Sequence, residues 1–172
     1  AVGSVPATWL TETVQYIIIE EGAWVFPDGA ELEAGFHTTN TVRSGAAGGS
    51  QNAGDVVAYR RTYGAAPAVL QSVNTFNDPQ YIDATSWSGT AGKNQPPTVS
   101  SMRLALEGME AYTSHPTGET IGYIVMDRTS GTNNSHTYAM DRTNGLNVDR
   151  HNDGCYTFSF TNIGTTPNVI SK

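Results

Sequence analysis

Glu119-Thr-Ile-Gly-Tyr-Ile-Val-Met-Asp127 is a nearly continuous apolar run held between acids. The stretch Glu12-Thr-Val-Gln-Tyr-Ile-Ile-Ile-Glu20 repeats its pattern without a gap, 107 residues earlier. Both read Glu-Thr, a β-branched residue, one free position, Tyr, three apolar residues and an acid. A short apolar run rich in β-branched residues, with no 3.6-residue period, is the signature of a central strand covered on both faces. Recurrence of such a strand at a fixed distance is the mark of a duplicated unit.

A second pair lies in the same order. Tyr63-Gly-Ala-Ala-Pro-Ala-Val69 corresponds to Ile163-Gly-Thr-Thr-Pro-Asn-Val169, 100 residues on. Strand-like runs precede both copies, Val56-Val-Ala-Tyr-Arg-Arg-Thr62 and Tyr156-Thr-Phe-Ser-Phe-Thr161. The expected organisation follows: residues 1–54 are the closing part of a preceding unit, 55–154 are one complete unit, and 155–172 begin a following one. The alternative is that the end pieces complement each other, or a neighbouring molecule, by strand exchange.

Between Asp55 and Gly154 the strand signals come at short intervals. Ala68 to Phe76 is β-rich and stops at Asn77-Asp-Pro79, a strong turn signal. Tyr81 to Trp87 alternates in part, and Ser88 to Pro97 is a loop by composition. Val99 to Glu107 alternates so that Met102, Leu104 and Leu106 share one face. The good helix formers from Met102 to Tyr112 leave a short helix as the competing reading, and strand-like neighbours favour the strand. His136 to Met140 and Gly145 to Val148 complete the count, with Thr143-Asn-Gly145 as a hairpin turn. About six strands in a unit of roughly 100 residues predict an all-β, antiparallel β-sandwich, repeated.

Composition agrees and excludes several function classes. Gly (18) and Pro (8) are frequent, and Lys occurs only at Lys93 and Lys172. Nine basic residues stand against sixteen acids, for a net charge of −7. A duplex-binding protein needs a basic face for its phosphate contacts, so nucleic acid is not an expected partner. No segment has the length of a membrane-spanning helix, so membrane insertion is not expected either. Cys155 is the single cysteine. It reads either as a small buried residue before a strand or as the partner of a cysteine elsewhere. The opening AVGSVPATWL has no signal-peptide pattern and no initiating Met, as expected of a processed or excerpted chain.

The strand ending in Tyr63, its small residues, Pro67 and the Val69 strand, followed later by Ile121-Gly-Tyr-Ile-Val125, resemble H-type lectin-like domains. The match spans about Asp55 to Asp127, with Val14-Gln-Tyr-Ile-Ile18 matching in part. The resemblance implies a six-stranded antiparallel sandwich of secreted or surface proteins, often trimeric. It also implies binding of galactose or N-acetylgalactosamine-type sugars, an activity that tandem repeats of this kind need not keep. The matching positions are core types, so no sugar-binding residue is carried over.

The residues themselves offer a few candidates. Trp87 and Tyr81 are candidate stacking faces for a sugar ring, with Asp78 in the adjoining turn as a third ligand-binding candidate; a Trp at such a position is more often core in a sandwich, and Trp24 carries the same ambiguity. The acidic turns at Asp78, Asp141, Asp149 and Asp153 suit calcium, which gathers carboxylate and carbonyl oxygens on loops. Asp141 to Asp149 nevertheless lacks the EF-hand spacing, and Asp and Asn are ordinary turn residues. Asn133-Asn-Ser135 is a glycosylation sequon. Glu20, Glu21 and Asp127 close the recurring run without the second carboxylate that glycoside hydrolysis requires. His37, His115, His136 and His151 are scattered, and neither a zinc pattern nor a G-x-S-x-G elbow is present. The expectation is a non-catalytic structural or adhesive module at the cell surface or outside the cell, with neighbouring copies of itself as partners. Carbohydrate binding is the alternative.

Overall fold

The computed structural model describes residues 15–43, 54–80, 82–88, 95–108, 114–142, 163 and 169–170. The described residues form strands and loops, with no helix among them. Ten strands follow one another: β1 (Gly22–Val25), β2 (Glu31–Thr39), β3 (Val42–Arg43), β4 (Asp55–Ala58), β5 (Ala68–Val73), β6 (Asp83–Trp87), β7 (Ser101–Glu107), β8 (Glu119–Met126), β9 (Thr129–Asn133) and β10 (His136–Met140).

The opening motif holds the centre of the first sheet, ordered β1-β2-β8-β5 and antiparallel throughout. β8 pairs on one side with β2, from Leu32↔Met126 to Thr39↔Glu119, and on the other with β5, from Ala68↔Met126 to Val73↔Ile121. In the second sheet β7 is the hub. β3 and β4 share one of its edges end to end, and β6 takes the other. The expectation of a purely antiparallel arrangement needs one correction here. Val42↔Leu106 and Arg43↔Glu107 form a short parallel ladder, because the chain crosses from the first sheet to the second between β2 and β3.

The two sheets face each other across one core. Met102, Leu104 and Leu106 of β7 meet Ile121, Tyr123 and Val125 of β8, with Val42, Val57 and Ala84 from the flanking strands. Period-2 alternation places these side chains on the inner faces, and 102-104-106 behave as their spacing predicts. Full burial of one such aliphatic side chain is worth about 1.5–3 kcal/mol, so this layer is what holds the sheets together. A smaller cluster lies on the outer face of the first sheet, where Leu32 and Met126 meet Trp24, Phe26, Tyr138 and Met140.

Two expectations about strands change. Glu12 to Glu20 copies the β8 sequence, yet its described part, residues 15–20, is not a strand and is largely exposed. An apolar run becomes a central strand only with a ladder on each edge, and among the described residues no strand pairs with this one. The hairpin expected at Thr143 to Gly145 lies outside the described residues, as do the Gly145 to Val148 strand and Cys155. Instead Asn134 and Ser135 connect β9 to β10, both with positive φ (47° and 67°), as a two-residue type I′ turn demands. Pairing also crosses the expected boundary before Asp55: β2 and β3 belong to the same sheets as the strands of 55–126.

Candidate functional site

The first sheet's outer face carries a groove of about 490 Å³. Its floor is Ala34 and Phe36 of β2, Gly122 and Ile124 of β8, and Leu70 and Ser72 of β5, the outward set of three adjacent strands. Gln15, Tyr16, Ile17 and Ile19 form one wall, and Ile170 contributes from the far end of the chain. Asn74 packs over Gly122 in the floor, where a Cβ would displace its carboxamide. Ser72 donates to Asn74 Oδ1 at 2.8 Å, which orients that amide.

The groove is polar in places and otherwise apolar. Phe36 is 61% exposed, Tyr16 77% and Ile17 51%. Exposed large apolar side chains gathered on one face mark an interaction surface rather than solvated polypeptide. Glu21, the acid on the rim, is ion-paired with Arg60 and half-exposed.

The sequence candidates are elsewhere. Trp87 is 3% exposed on the outer face of the second sheet, with Arg43 stacked 4.8 Å from its ring centroid and Gly54 against its edge. Its face is already covered, so it is no platform for a sugar ring. Tyr81, Asp149 and Asp153 lie outside the described residues. Asp78 sits where the β5–β6 loop meets the approach to β8. Its Oδ1 is 3.9 Å from Nε2 of the buried His115, whose Nδ1 donates to the Thr117 carbonyl at 2.5 Å. Beside it, the buried Glu119 carboxylate accepts from Thr75 Oγ1 (2.5 Å), Asn77 N–H (2.7 Å) and Asp78 N–H (3.1 Å). That carboxylate shapes the loop. Asp141 accepts from Arg128 Nε at 2.6 Å and from the Arg142 N–H at 2.8 Å. Burial pushes its carboxyl up, and these bonds outweigh burial and hold it below the usual carboxylate range. Among the described residues no three His, Cys, Asp or Glu side chains are placed to hold a metal. Asn133 of the sequon ends β9, and the rest of the tripeptide is the tight turn.

Sequence reasoning missed three features. The groove was invisible because its floor joins residues some ninety positions apart, which only register brings together. Glu33 projects inward from β2 and is fully buried. Its Oε2 accepts the Arg60 N–H at 2.9 Å, and Oε1 has no hydrogen-bond partner among the described residues. Burial pushes this carboxyl above its ordinary range, against the opposing Arg60 N–H and the charges of Arg60 and Arg61. Asp55 differs: burial raises it, but hydrogen bonds from His37 (2.8 Å), Thr39 and Thr41 (3.2 Å) prevail and lower it. The third is a docked hairpin. Phe26 and Tyr138 meet edge to face at 5.4 Å, and Asp28 accepts from Tyr138 Oη (2.7 Å) and the Thr132 N–H (3.2 Å). The alternation of Glu31-Leu-Glu-Ala34 was the available signal for β2.

No protein-family model matches this chain, and no curated protein or solved structure matches it.

Proposed function

We propose that the chain is a non-catalytic structural or adhesive module of a larger extracellular, surface or filament protein, built from recurring β-sandwich units. One observation carries this reading. The hairpin strand β1 begins at Gly22 and β9 begins at Thr129, 107 positions apart, the same distance that separates Glu12 from Glu119. The matching offsets of the run and of the hairpin start support a division into 1–54, 55–154 and 155–172. The exposed apolar wall at Tyr16 and Ile17 supports assembly as its role, since apolar surface gathered on one face marks an interaction site.

Carbohydrate binding is the second reading, favoured by the groove: exposed Phe36 and Tyr16 offer faces for sugar CH groups, and Asn74, Ser72 and Gln15 offer hydrogen bonds to hydroxyls. Galactose and N-acetylgalactosamine are the ligands the resemblance to H-type lectin-like domains suggests. The coding sequence on either side of this stretch tests the first reading. Further copies of the Glu-Thr-x-x-Tyr run, about a hundred residues apart, are expected, and a flank without any would overturn it. A glycan array tests the second: no retained galactose-type glycan would sink it, and binding abolished by Phe36→Ala would establish the groove as the site.

A further inference from the structure

We infer that the hairpin β9–β10 is a strand donor: in an array of these units, β10 inserts beside the β8 of the next copy, as β2 does beside β8 here. The inference rests on the recurring-unit reading above and adds the partner and its register.

Three observations converge on it. First, β1–β2 and β9–β10 occupy equivalent positions, each following a copy of the Glu-Thr-x-x-Tyr run. By that spacing β1–β2 belongs to the preceding unit, yet β2 contributes eight residue pairs to the β8 ladder of this one. On the recurring-unit reading, that ladder is a donation across a unit boundary within the chain.

Second, the registers of the two hairpins correspond. Gly22, at the start of β1, pairs with Ala34, and Thr129, at the start of β9, pairs with Met140. Met140 therefore stands where Ala34 stands, and Tyr138 where Leu32 stands. Ala34 pairs with Ile124 and Leu32 with Met126, and all four contribute to the outer face of the sheet. Tyr138 and Met140 carry the same alternate apolar pattern.

Third, β10 pairs with β9 alone among the described residues, leaving one edge out of any ladder. β10, His136-Thr-Tyr-Ala-Met140, has none of the Lys or Pro residues that blunt an exposed edge. Here the hairpin rests on the outer cluster through Phe26–Tyr138 and Asp28, contacts that add no ladder on its second edge among the described residues. A strand edge of this kind recognises another edge by backbone hydrogen bonds, with side-chain alternation setting register.

The test uses the full chain extended after Lys172 by a second copy of residues 73–172, with Cys155→Ser in both copies. Residues 155–172 then stand as positions 55–72 of the second unit, which has no β1–β2 of its own. Amide exchange should show the second β8 protected, and Ala139→Pro in the first β10 should cut that protection at least 100-fold while leaving the first β8 unchanged. Met140→Cys in the first unit with Ile124→Cys in the second should form a disulfide on mild oxidation. A second β8 that stays protected with Ala139→Pro and forms no disulfide overturns the donation while leaving the repeat intact. A second unit that fails to fold behind the unsubstituted hairpin overturns it as well. Loss of the repeat itself is read separately, from the flanking coding sequence.

Discussion

Glu33 is a residue whose behaviour the fold changes. Its raised carboxyl favours the neutral form in the folded state. Unfolding therefore gains from ionisation as pH rises from the ordinary glutamate range through the raised value, and stability declines across that window. Glu33→Gln, which keeps an acceptor for the Arg60 N–H, should remove this decline, so its melting point should exceed the parent's above the window and match it below. Equal pH slopes for the two proteins would show that Glu33 does not titrate there. Asp55 works in the opposite sense. Its lowered carboxyl contributes stability above the unfolded aspartate range, lost as pH falls through the folded value. Leu104, fully buried at the hub of the second sheet, is an ordinary core residue by contrast. Leu104→Ala should cost about 2–5 kcal/mol in urea unfolding. Its place was legible from the 102-104-106 alternation, whereas a glutamate on an inner face could not be told from a solvated one by pattern alone.

At the scale of elements, the β9–β10 turn and the β5–β6 loop are the informative pieces. Ser135 holds φ at 67°, a conformation that glycine adopts without a steric penalty. Ser135→Gly should stabilise the hairpin by about 0.5–1 kcal/mol, visible as slower amide exchange in β10, and faster exchange would contradict the turn type. The loop from Thr75 to Asp78 is held by Glu119, which accepts three hydrogen bonds there. Glu119→Ala leaves three part-buried donors without their acceptor and should cost about 1–3 kcal/mol, with the Asn77 and Asp78 amides losing protection first. Strand β8 was readable as a central strand from its apolar run. The similar run at Gln15 to Ile19 reads the same and is not a strand, because sequence records the propensity of a segment and not the ladders available to it.

For the whole molecule, the shared core predicts cooperativity across the expected boundary at Asp55. β2 and β3 pair with β8 and β7, and the main cluster draws on both sheets. Amides of β2, β7 and β8 should open with one common free energy in native-state exchange. If β2 exchanged at markedly lower energy, residues 22–43 would be a separable unit.

The sequence alone determined the all-β class, the central place of Glu119 to Met126 and the inward face of β7, because strand propensity and period-2 burial are local properties. It also carried the 107-residue recurrence, which is a fact about residues and needs no coordinates. Tertiary structure decided that β2 pairs with β8, that Trp87 is covered by Arg43, that Glu33 is buried and that a groove crosses three strands. Each of these depends on which distant edges and faces meet. Register between strands far apart in the chain is set by the closing of the whole core, and no single stretch encodes it.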